Sequence, residues 1–87
     1  MEAKKLVGWN LRRLRVAKGF TIEELAARAD ADASFVARLE RGQVNVGIVM
    51  LARLAKAVGG KLVDLVSEPE PGAPRPLPLK PGRRSMK

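Results

Sequence analysis

Neither histidine nor cysteine occurs among the 87 residues, so the chain has no imidazole base, thiolate nucleophile or disulfide, and lacks the usual zinc ligands. The close carboxylate pairs of its helical part are Glu23/Glu24 and Asp30/Asp32. Both are more simply used at helix ends, where an acid meets the positive end of the macrodipole or accepts from free amides. No catalytic site, metal site or small-molecule cofactor is expected. What remains is positive charge: 17 Lys and Arg against 9 acids, a net +8. Arg75, Lys80, Arg83, Arg84 and Lys87 put +5 into residues 71–87, and Lys4, Lys5, Arg12, Arg13, Arg15 and Lys18 against Glu2 put another +5 into residues 1–20. Such clustering suits a polyanionic partner, although each single cation also suits an ordinary solvated face.

The elements that must position these charges are helices. Length allows one compact domain with a modest core. No apolar run approaches the roughly 18 residues of a membrane span, and no signal-peptide pattern opens the chain, so a cytoplasmic protein without membrane contact is expected. Residues 1–68 read as the domain and 69–87 as a tail. The prolines at 71, 74, 76, 78 and 81 forbid a helix there, leaving an extended or disordered basic segment that could also serve as an arm along DNA or a ligand for a protein partner.

Upstream, apolar residues recur at helical spacing in five stretches. The first, about residues 2–18, carries Val7, Leu11 and Leu14 on one stripe and stops before Gly19. Trp9 falls one position off it, half-exposed at the core edge or at a partner site. Thr21 and Glu24 form a capping box, with Phe20 and Leu25 at the staple positions and Ile22, Leu25, Ala26 and Ala29 facing inward. After Asp30-Ala31, Asp32 is an N-cap for a third helix with Val36 and Leu39 inward, ended by Gly42. A fourth, about 47–58, has Ile48, Leu51, Leu54, Ala55 and Val58 on its core face. Residues 61–66 fit a short fifth helix but also alternate like a strand; the helical reading is taken. Val49, Met50, Val63 and Val66 fall partly outside this core, as additional core or as a dimer interface, and the dimer is favoured.

Residues 19–42 resemble the phage-repressor and Cro-like helix-turn-helix family, also called the xenobiotic-response-element type. The resemblance extends over about residues 7–66, through Leu11-Arg-Arg-Leu-Arg15, Glu24-Leu-Ala26, Leu39-Glu-Arg-Gly42, Asn45 and Leu51-Ala-Arg-Leu-Ala-Lys-Ala-Val-Gly59. It implies an all-α, five-helix, lambda-repressor-like domain whose helix-turn-helix proper is 21–41, and a homodimer that regulates transcription from a two-fold symmetric operator in double-stranded DNA. The small controller proteins of restriction-modification or mobile elements look nearest. An alternative is an interaction module of the same fold, such as the antitoxin of a toxin–antitoxin pair, its C-terminal part binding a protein; a strand at 61–66 would favour it.

Carried over by position, Ala33, Ser34, Ala37 and Arg38 face the bases of the major groove, while Arg12, Arg15, Arg41, Gln43 and Asn45 hold phosphates. The resemblance also pairs Arg15 with Glu40. Arg38 can bond guanine O6 and N7 as a fork, Ser34 can bond a base edge or a phosphate, and Ala33 can only touch a thymine methyl. Three departures bear on affinity. Ile22 stands where the family usually has a phosphate-contacting Gln, Asp30 where it often has Gly, and Asp32 puts a carboxylate near phosphates.

Overall fold

The computed structural model describes residues 2–68; the expected proline-rich tail lies outside the described residues. Among the described residues every regular element is helical: α1 Ala3–Lys18, α2 Ile22–Ala29, α3 Ala33–Glu40, α4 Ile48–Ala57 and α5 Leu62–Val66. None of these helices is long and apolar enough to cross a membrane. Residues 62–66 are helix rather than strand, entered by a bond from the Lys61 amide to Asp64 Oδ2 of 2.7 Å.

Each helix sends at least one fully buried side chain into a shared core: Leu11, Leu25, Val36 with Leu39, Leu54 and Leu65 are all 0% exposed. Helix α1 packs on α3 and α5, α2 on α3 and α4, and α4 on α5, so α3 is backed by two helices. Two residues of α1 make these contacts close. A Cβ at Gly8 would stand 2.7 Å from the Glu40 carbonyl oxygen and nearer still to that of Leu39, so α1 crosses the end of α3 where only glycine fits. Asn10 is buried on the apolar stripe of Leu6, Val7 and Leu11, where Nδ2 donates to the carbonyls of Leu65 and Ser67, both at 3.0 Å, and so closes the end of α5.

Helix α4 departs from its expected core face at one end. Ile48 is 63% exposed, whereas Leu51, Leu54, Ala55 and Val58 are buried. It is the first helical residue after Gly47, and Cα–Cβ bonds tilt toward a helix N-terminus, so its side chain projects off the end of the packed layer.

Candidate nucleic-acid interface

The turn between α2 and α3 is built from local chemistry and then pinned from a distance. Thr21 Oγ1 accepts from the Glu24 amide at 3.0 Å while Glu24 Oε1 accepts from the Thr21 amide at 2.8 Å, the expected capping box. At the other end of α2, Asp30 adopts φ 56° and ψ 51° and turns the chain; it is the one non-glycine residue with positive φ among the described residues. Asp32 Oδ2 accepts from the Phe35 amide at 3.2 Å and starts α3. From α4, Arg53 reaches across with Nη2 to the carbonyls of Ala29 at 3.0 Å and Asp30 at 2.8 Å, satisfying acceptors that α2 leaves open. Nothing in the spacing of Arg53 singles it out, because its partners lie 23 and 24 residues away in sequence.

Helix α3 has a locked back and a free front. On its back, Val36 and Leu39 are buried, and Glu40 receives Arg15 Nε at 2.6 Å and Nη2 at 3.0 Å. The Arg15 and Glu40 side chains are only 11% and 5% exposed, and Arg15 Nη1 also donates to the Phe20 carbonyl at 2.8 Å. Two N–H groups of Arg15 remain for any outside anion. On the front, Ser34 and Arg38 are exposed and Ala33 and Ala37 half-buried, all on one side of the helix.

Facing this front is an open cleft of about 490 Å³ between α2 and α3, lined by Arg15, Thr21, Ile22, Glu23, Ala33, Ser34 and Ala37. It brings Ile22 to the same surface as three of the four residues expected at base edges; Arg38 stands outside the cleft. Arg12, Arg41, Gln43 and Asn45 are all exposed, and Arg41 Nε lies 3.5 Å from Gln43 Oε1. Negative groups at this surface are the exposed Glu23 and Asp32, the latter already accepting a backbone amide.

Away from this surface, α4 and α5 pack on each other and present Val49, Val63 and Val66 at 68%, 57% and 45% exposure. The misplaced Ile48 belongs with them, while Met50 is half-buried against the core. Arg13 lies over the half-buried Trp9 at 5.6 Å and Arg28 over Phe20 at 4.3 Å, so two cations are partly engaged within the domain.

A helix-turn-helix domain family matches residues 6–67. An uncharacterised HTH-type transcriptional regulator of Sinorhizobium fredii, y4dJ, is 43% identical over 67 residues, covering 77% of this chain and 87% of that protein. Among solved structures, the hypothetical transcription factor NHTF from Neisseria matches with a TM-score of 0.76 at 29% identity over 78% of each chain. The restriction-modification controller protein C.AhdI from Aeromonas hydrophila matches with a TM-score of 0.69 at 40% identity, over 71% of this chain and 94% of that one.

Proposed function

The chain belongs to the helix-turn-helix domain family, and on that footing we propose that it is a DNA-binding transcriptional regulator acting as a homodimer on a two-fold symmetric operator. Helix α3 is the element that enters the major groove. The observation that carries this reading is its asymmetry: the back is held by the Arg15–Glu40 pair and the core, while Ser34 and Arg38 stand free on the front. A rigidly backed helix with unpaired donors is what readout of base edges requires.

Arg38 is the principal base reader, as a fork on guanine, with Ser34 beside it and Ala33 and Ala37 allowing close approach. Arg12, Arg41, Gln43 and Asn45 supply the sequence-independent phosphate contacts. Arg15 serves mainly as a positioning residue, since most of its donors are engaged, and offers its two remaining N–H groups to the same backbone.

Exposed branched side chains on two mutually packed helices support the dimer. Ile48, Val49, Val63 and Val66 form the core of the self-complementary contact, with Met50 at its inner edge. Two copies then present their α3 helices to half-sites about 34–36 Å apart. The antitoxin alternative loses its discriminating feature, because residues 62–66 are helical.

Selection of bound fragments from a random DNA pool, followed by footprinting, tests the reading. A palindromic motif protected on both half-sites is expected. Recovery of no common motif overturns it. Sedimentation should show a dimer that Val63→Lys converts to monomer, and a wild-type monomer bound to a single half-site would overturn the dimeric part.

A further inference from the structure

The sequence marks Ile22 as a loss, a phosphate contact given up. Its location suggests a gain instead. Ile22, Ala33 and Ala37 bring aliphatic groups to one open cleft whose polar members are Thr21, Ser34, Glu23 and the largely engaged Arg15. Each of the three is half-buried, so each is held by the domain while still reaching the surface. Charge decides which part of a duplex the cleft suits. The side chains of Ile22, Ala33 and Ala37 offer a phosphate no donor and the exposed carboxylate of Glu23 repels one. The sugar–phosphate backbone is therefore left to the two remaining N–H groups of Arg15, and the aliphatic part of the cleft suits a base edge. A base edge carries no net charge, and its one apolar group in the major groove is the thymine C5-methyl.

We propose that the cleft formed by Ile22, Ala33 and Ala37 takes the C5-methyl group of a thymine, making Ile22 a specificity-determining residue of the DNA-binding surface. This rests on the proposed DNA-binding role of α3. It adds to Arg38 a second reading position, chosen by an apolar contact rather than a hydrogen bond. Thymine and uracil pair identically and differ there only by the methyl, so the contact can be removed without altering the protein.

The test replaces each thymine of the selected operator, one symmetric pair at a time, by deoxyuridine and measures Kd with the full chain. At one position uracil should weaken binding about fourfold for each methyl removed, the effect of exposing one buried methyl-sized group. In Ile22→Gln the uracil penalty at that position should fall to less than half of this, and 5-methylcytosine there should bind wild type more tightly than cytosine. Three outcomes overturn the proposal. One is unchanged Kd at every uracil position while the unmodified operator still binds, which leaves the DNA-binding role standing. The second is a uracil penalty as large in Ile22→Gln as in wild type, which locates the methyl contact elsewhere. The third is no binding of any selected DNA, which removes the DNA-binding role itself. Circular dichroism of Ile22→Gln accompanies the assay, and if that variant unfolds, Ile22→Ala is measured in its place, with the same reduced uracil penalty expected.

Discussion

The two faces of α3 differ in how much of their chemistry is used. On the back, Val36 and Leu39 are 0% exposed, the glutamate at 40 is held by two N–H groups of Arg15, and α1 comes so near that Gly8 has no room for a Cβ. On the front, Ser34 and two alanines line an open cleft, and Arg38 is exposed outside it. The back therefore spends its side chains on orientation and the front keeps few for the proposed recognition of bases. A helix so mounted can present a sparse reading surface reproducibly, because its few donors are not free to wander with the helix.

This contrast predicts that changes behind α3 cost stability while changes in front alter preference. Glu40→Ala should have the largest effect: it leaves Arg15 nearly buried without its carboxylate and should lower unfolding free energy by about 3–5 kcal/mol in urea titrations. A loss below about 1 kcal/mol would break the contrast, reducing the pair to a surface contact. Gly8→Ala should cost about 1–3 kcal/mol despite the better helix propensity of alanine, because α1 and α3 must separate. Unchanged thermal stability would show that the close crossing is not needed.

Arg38→Ala should leave stability within about 0.5 kcal/mol and remove about 1–3 kcal/mol of discrimination at one base pair per half-site. Competition binding against operators substituted at each position reads this out, and a uniform loss over all positions would make Arg38 a phosphate clamp. Arg41→Ala should weaken every sequence alike and flatten the log Kd against log salt plot by about one unit of slope per subunit. A wild-type affinity independent of salt would contradict the electrostatic part of the interface altogether. Thr21→Ala should cost about 1 kcal/mol, read from the same urea titrations, as a lost cap with no change in base preference.

Much of this arrangement is legible in the residues themselves. Thr21 with Glu24 and Asp32 with the Phe35 amide act across three positions, so the starts of α2 and α3 can be read locally. Other features left traces that were harder to weigh. Asn10 lies three and four residues from Val7 and Leu6, on the apolar stripe of α1, which is a signal for a buried polar group with a partner. Gly8 in mid-helix carries an intrinsic cost that a close packing contact would justify. Ile48 misled because periodicity treats a helix as endless, whereas the first residue of α4 has no layer beneath it.

By itself, then, the sequence determined the first four helices, the caps at Thr21 and Asp32 and the surplus of positive charge, since each depends on residues a few positions apart or on composition, whereas residues 61–66 fitted a helix or a strand. Only the tertiary structure decided that Arg53 secures the end of α2, that Asn10 closes α5, that most donors of Arg15 are engaged and that Ile22 joins Ala33 and Ala37 at one cleft. The physical reason is separation along the chain. The long-range hydrogen bonds of Arg53, Asn10 and Arg15 to Glu40 join groups 23 to 57 residues apart, and whether such groups meet depends on how helices cross, which no local pattern encodes.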